Sequence, residues 1–362
     1  MRFPGFSDEW KKSTLKEECI VNPKTEGLEK EFLYIDLESV VKGQLVKQNI
    51  ISRDEAPSRA QRVLSKWDII YQCVRPYQLN NYIIREESTI QLVASTGYAQ
   101  IRTKHNPDFI YQLLHTKGFT DQVINRCTGT NYPAINSTDL SSIEINFPSI
   151  QEQAKIGEFL TIIDQRIAIQ SKVIEKYESL IKALRHHLFS TIESEKEVTI
   201  ADVLSYEQPT KYIVSDTEYS DNKDLTPVLT ANKAFILGYT EETNGVYDKG
   251  PCIILDDFTL DTKIVDFPFK VKSSAIKILS AKTSVRLRYI YEYLKFLDLN
   301  TEEHKRHYIA EIEPMTIELP EEGAIQSIAY LFDRMDQRRK GLEKHLQLLK
   351  SQKDYLLRAL FI

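Results

Sequence analysis

No long apolar run, no signal-like N-terminus and no CxxC pair occurs in this 362-residue sequence. From the first two absences neither a helical membrane span nor a secretory leader is expected. The four cysteines, Cys19, Cys73, Cys127 and Cys252, lie far apart and form no Cys/His cluster of zinc-site spacing. The simplest inference is a reduced, soluble, cytoplasmic protein without a membrane partner. Catalytic signatures are equally scarce. There is no G-x-G-x-x-G, P-loop, H-E-x-x-H or G-x-S-x-G. No Asn/Asp-Pro-Pro-aromatic tetrapeptide of an amino-methyltransferase appears. Pro107-Asp108 lacks the following Glu-x-Lys of a nuclease core. No catalytic, cofactor-binding or metal-ligating residue is therefore assigned. Asp256-Asp257 with Asp261 read as a solvated turn rather than as metal carboxylates, since acidic residues are common in turns. His186 and His187 are adjacent, so on a helix they point about 100° apart and read as surface residues. His304 and His307 fall in a polar loop with Lys305 and Arg306.

A basic excess is also missing. The formal net charge is −5. Residues 1–150 carry 18 basic and 18 acidic side chains, and residues 151–195 are net −1. Residues 196–320 are net −6 and residues 321–362 net +2. A stand-alone DNA binder usually shows a basic excess. Any nucleic-acid affinity here must be local or shared with a basic partner. The 42% hydrophobic fraction is ample for the cores of two or three domains.

What the chain does contain is a repeat. Residues 148–189 recur at 320–361, offset by 172 residues without a gap. Asp164-Gln165-Arg166 matches Asp336-Gln337-Arg338, and Leu188-Phe189 matches Leu360-Phe361. Each copy carries a heptad row. Leu160, Ile167, Ile174, Ile181 and Leu188 form one, and Ile328, Met335, Leu342, Leu349 and Leu356 form the other. Apolar residues at period seven specify a coiled-coil seam. Pro148, with the capping-box pair Ser149 and Glu152, marks the start of the first helix. The companion rows are interrupted by Gln170 in the first helix and by Arg339 and Lys353 in the second. These polar residues would fix register or face a helix of another protein. A compact block of this size cannot easily carry the chain back along a whole helix. The spacing therefore predicts an antiparallel helix pair with one globular block at each end.

The two blocks are alike in kind, not in sequence. In the first, strands are predicted at Phe32–Leu37, Asp68–Cys73, Asn81–Ile84, Gln91–Ala94 and Ser142–Phe147, with a helix over Pro107–His115. In the second, strands are predicted at Thr226–Leu229, Pro251–Leu255, Ala275–Leu279 and Met315–Leu319, with a helix over Ser284–Leu297. Both blocks end in an alternating strand that stops at proline, Ile143–Phe147 before Pro148 and Met315–Leu319 before Pro320. Turns are expected at Asn131-Tyr132-Pro133, Asn244-Gly245 and Lys249-Gly250-Pro251. The predicted fold class is α+β: domains 1–147 and 196–319, with helices 148–195 and 320–362, arranged with pseudo-two-fold symmetry.

The repeated helix, with its proline start, D-Q-R core and L-F end, resembles the helical regions of Type I restriction-modification specificity subunits. So do the opening Arg2-Phe3-Pro4-Gly5-Phe6-Ser7-Asp8-Glu9-Trp10 and Pro148-Ser149-Ile150-Gln151-Glu152-Gln153. Asp68-Ile69-Ile70 with Arg75-Pro76-Tyr77, and Gly250-Pro251-Cys252-Ile253-Ile254 with Asp256-Asp257-Phe258-Thr259, resemble the family's strand-loop elements. The second helix departs from the pattern, with Gly323-Ala324-Ile325-Gln326 in place of Glu-Gln. The resemblance implies two target recognition domains, each reading one half of a bipartite target in double-stranded DNA. The helices would space them and dock two modification subunits, with restriction subunits joining the complex. It also implies that S-adenosylmethionine, ATP and Mg²⁺ act on those partners, and that this chain performs no chemistry.

Base edges and phosphates are contacted mainly by arginine, lysine and polar side chains. Arg75, Tyr77, Lys104, Thr130, Asn131 and Tyr132 are the candidates in the first block. Lys270, Lys272, Lys277, Lys305 and Arg306 are those in the second. Tyr77 and Tyr132 have a competing reading as core residues with satisfied hydroxyls. A different class of function, a non-DNA adaptor joining two protein-binding modules, would suit the acidic second block.

Overall fold

In both blocks a threonine caps a one-turn helix just after the first strand. The Thr14 N–H donates to the Glu17 carboxylate at 2.9 Å, and the Thr199 N–H to that of Asp202 at 2.8 Å. The motif satisfies N–H groups that a helix start otherwise leaves open. The computed structural model describes residues 2–24, 27–230, 235–282, 286–299 and 307–361. They form two compact units, one of Met1–Ser171 with Lys344–Ile362 and one of Lys172–Glu343.

In the first unit the strand Glu144–Phe147 pairs antiparallel with Lys11–Thr14, placing Lys11 opposite Phe147. Beyond the capped turn lies an antiparallel sheet ordered Cys19–Val21, Tyr98–Thr103, Ile69–Gln72, Tyr82–Ile83. A second sheet is ordered Asn49–Ser52, Glu31–Ile35, Leu92–Ser95, Ala60–Leu64, its two central strands being parallel. The helix Pro107–Leu113 starts at Asn106, whose side chain accepts from the Phe109 N–H at 2.9 Å. Its Phe109, Ile110 and Leu113 share one core with Ile156, Leu160 and Ile163, and with Leu356, Leu357 and Leu360.

The second unit repeats much of this order with other residues, with three strands in place of four in one sheet. Lys196–Thr199 pairs antiparallel with Thr316–Leu319. One sheet runs Leu204–Glu207, Ile276–Ala281, Cys252–Asp256, Thr262–Val265. The other runs Ile236–Thr240, Thr226–Leu229, Lys270–Val271, the last two parallel. The helix Leu287–Phe296 packs Tyr289, Ile290 and Leu294 against Phe189, Ile328, Phe332 and Met335. The architecture is α+β in both units. Sequence reading placed this helix from Ser284; residues 283–285 lie outside the described residues, and the described helix begins at Leu287.

The repeated segments are continuous helices, Ile150–Thr191 and Glu322–Leu360. In the first unit the early turns of the first helix meet the last turns of the second. In the second unit the late turns of the first helix, Ile181, Leu184 and Leu188, meet Ile325, Ile328 and Met335 near the start of the second. Of the ten residues in the two heptad rows, none is exposed. Leu160, Ile328, Met335, Leu349 and Leu356 are buried, while Ile167, Ile174, Ile181, Leu188 and Leu342 are half-buried.

One sequence expectation fails outright. Asp256 and Asp257 are buried, not solvated. The Asp257 carboxylate accepts from the backbone N–H groups of His307 and Tyr308, at 3.1 and 2.8 Å, and pairs with Lys277 at 3.1 Å. A buried carboxylate needs such partners, because an unpaired charge in the interior is costly. Asp261 is exposed and pairs with Lys295 at 2.8 Å.

Candidate nucleic-acid interface

Two loops of the first unit are stitched together at its surface. Val74 and Thr128 each form an antiparallel bridge to Ala134. The Arg75 N–H donates to the Pro133 carbonyl at 2.8 Å. Arg75 has φ +54°, in the left-handed region, and opens the turn Pro76–Gln78. Its guanidinium lies 4.3 Å from the centre of the Tyr132 ring, a cation–π contact. Tyr132 is 64% exposed and Tyr77 53% exposed, which overturns the core reading for both. Thr130 and Asn131 are exposed on the same loop as Tyr132. The structure thus draws together candidates from two distant stretches of sequence.

The other candidates fare differently. Lys104 is exposed on another element, beside His105. The His105 ring stacks on Phe147 and bonds Glu18 at 2.6 Å. Lys272 is exposed. Lys270 and Lys277 are buried in ion pairs, Lys270 with Glu242 at 2.8 Å and Lys277 with Asp257. Their ammonium groups are committed to intramolecular carboxylates and are not surface cations. Lys305 and Arg306 lie outside the described residues.

The signature stretches near the helix starts prove to be partners. The Arg2 guanidinium donates two bonds to the buried Glu152 carboxylate, at 2.9 and 2.5 Å. Gln153 donates to the Pro148 carbonyl at 3.0 Å. Ala324 and Ile325 occupy the equivalent places in the second helix. The second helix thus has neither the carboxylate that meets Arg2 nor the amide that meets Pro148 at these places, which is the departure at Gly323–Gln326.

The repeated D-Q-R and L-F elements are anchored in both units, through different partners. Asp164 accepts from Gln112 at 2.7 Å and pairs with Lys353 at 2.6 Å. Gln112 belongs to the helix Pro107–Leu113, so the contact ties that helix to both long helices. Asp336 pairs with Arg339 at 2.7 Å and Lys340 at 3.1 Å, and lies 3.9 Å from Arg288 of the Leu287–Phe296 helix. Burial alone would raise the Asp336 carboxyl, but the bonds from Arg339 and Lys340 hold it below its usual range. Phe361 stacks on Phe109 and meets Trp10 edge-on, while Phe189 contacts Tyr289, Tyr293 and Phe296. Gln165, Arg166, Gln337 and Arg338 are exposed in both copies. Phe159, Ile162 and Ile169 form an exposed apolar strip beside the first pair. The repeat therefore retains residues that the core does not need.

Among the described residues no group of three or more His, Cys, Asp or Glu side chains is arranged to hold a metal ion. Nor is any helix among them long and apolar enough to cross a membrane.

Residues 7–179 match the family described as the Type I restriction modification DNA specificity domain. The Type I restriction enzyme EcoR124I/EcoR124II specificity subunit of Escherichia coli is 40% identical over 169 residues, 43% of this chain and 42% of that protein. The HindI specificity subunit of Haemophilus influenzae is 24% identical over 183 residues, 49% of this chain and 40% of that protein. The matched region is thus about two fifths of each curated relative's length. Among solved structures, the Type I restriction-modification S subunit from M. genitalium superposes with a TM-score of 0.66 at 17% identity, covering 99% of this chain and 97% of the other. A chain from a structure of type I R-M complex assembly and conformational transition gives 0.58 at 18% identity, covering 98% and 97%. Residues 7–179 are thus similar to the Type I DNA specificity domain family. Over its length the chain has the fold of Type I S subunits. The adaptor reading is not favoured by any of these matches.

Proposed function

We propose that the chain is the DNA sequence-specificity subunit of a Type I restriction-modification complex. Domains 1–147 and 196–319 each read one half of a bipartite target. Helices 148–195 and 320–362 form an antiparallel coiled-coil spacer and dock two modification subunits, one at each exposed Gln-Arg pair. Restriction subunits join through them. The modification subunits supply S-adenosylmethionine and methyl transfer, and the restriction subunits use ATP and Mg²⁺; this chain supplies no catalytic group and acts in the cytoplasm with its DNA. The observation that carries this reading is the duplication. A similar strand order is built twice from different residues, each time ending in a copy of the repeated helix, and the first copy matches a DNA specificity domain.

The charge distribution gives the test. Phosphate neutralisation dominates affinity for DNA, and this chain has a net charge of −5. Bound alone to target duplex at physiological salt, it is expected to be at least about tenfold weaker than with a modification subunit present. Fluorescence anisotropy on a salt series measures both. Tight sequence-specific binding by the isolated chain, or no gain from the partner, contradicts the proposal.

A further inference from the structure

Three arginines of the first unit are committed to carboxylates, Arg2, Arg85 and Arg102 to those of Glu152, Asp108 and Asp68. Arg75 has no carboxylate partner among the described residues, yet it is half-buried and held in place. Its backbone is fixed on both sides, by the Arg75 N–H to Pro133 at 2.8 Å and the Gln78 N–H to the Arg75 carbonyl at 3.0 Å. Its left-handed conformation, unusual for a side chain with Cβ, sets the direction in which the side chain leaves the loop. The Tyr132 ring then covers one face of the guanidinium.

A ring on the face of a guanidinium leaves the in-plane N–H groups untouched. Those donors form a rigid, parallel fork. In the major groove only guanine offers two adjacent acceptors, O6 and N7, that match the fork. A phosphate also accepts from a guanidinium fork, but a phosphate contact carries no base preference, and the substitution scan below separates the two. We propose that Arg75 reads a guanine in the half-site of the first block, and that Tyr132 is a positioning residue that holds the fork. The proposal rests on the DNA-specificity reading and assigns its first base contact.

The test uses the full chain with a cognate modification subunit and S-adenosylmethionine. Methylation rates are measured on duplexes in which each base pair of both half-sites is replaced in turn. The unsubstituted complex is expected to lose about tenfold or more when one G·C pair in one half-site is changed. R75K is expected to lose most of that discrimination at this pair alone and to keep the preferences elsewhere. Y132L should weaken the same preference, whereas Y132F, which keeps the ring, should retain it. Because Tyr132 is largely exposed, Y132L folds even if R75K does not, and its substitution scan then decides. Undiminished discrimination in R75K, or in Y132L where R75K is misfolded, overturns the proposal. So does a uniform loss on all DNA with a salt slope lowered by about one, the mark of a phosphate contact. If the unsubstituted complex shows no preference in either half-site, the specificity reading fails as well.

Discussion

Replacing residues 196–319 with the matching block of another family member is expected to change one half of the methylated sequence and leave the other intact. The two ends of this segment are paired strands, with Lys196 opposite Leu319 and Thr199 opposite Thr316, so the cross-strand partners travel together. The backbone bond from the Glu195 N–H to the Leu319 carbonyl, 2.8 Å, closes the root of the block. The first block keeps every contact that positions Arg75 and Tyr132. The donor block must bring apolar groups equivalent to Tyr289 and Leu294 to cover Phe189 and Phe332. Methylation motifs of cells carrying the chimera give the result. A folded, active chimera that changes both halves, or neither, contradicts the division of labour.

The second large effect is on stability. Glu292 is buried and pairs with Arg185 of the first long helix at 2.8 Å and with Arg288 at 3.0 Å. Both arginines are largely buried as well, so the pairing is poorly screened by solvent. Glu292→Ala would leave Arg185 without its carboxylate and Arg288 with only the more distant Asp333 and Asp336, at 3.7 and 3.9 Å. Breaking a buried pair from one side costs about 3–5 kcal/mol, a large share of the ~5–15 kcal/mol that holds a domain folded. Denaturant unfolding of the chain should show this loss, with Glu292→Gln losing less because it keeps one acceptor. A change below about 1 kcal/mol, the range of exposed pairs, would mean that the pair is effectively solvated.

The parts of this protein that were legible in its sequence are those with a local period. The long helices announced themselves through Leu160, Ile167 and their heptad partners. The closing strands did so through the alternation of Ile143, Ile145 and Phe147. Tyr98–Thr103 gave no such signal, because its first four residues are all buried, Gln100 among them. The Gln100 side-chain NH2 donates to the Val63 carbonyl and the Asp68 carboxylate, partners remote in sequence. The same non-locality misled the choice of Lys270 and Lys277. A lysine reads as surface until Glu242 or Asp257 is brought to it by the fold. Conversely, Arg75 and Tyr132 were nominated separately, as polar and aromatic loop residues. Nothing in their spacing says that the ring lies on the guanidinium. That depends on the bridges through Ala134.

The central proposal is that one chain carries two independent readers, each for its own half of a split target. It is tested most directly by methylome sequencing of cells that express the chain with its modification subunit, compared with cells that lack only this chain. The expected result is one split motif, two defined halves separated by a spacer of constant length and no fixed sequence, which disappears without the chain. A continuous motif, a spacer of variable length, or methylation that persists when the chain is absent would contradict it.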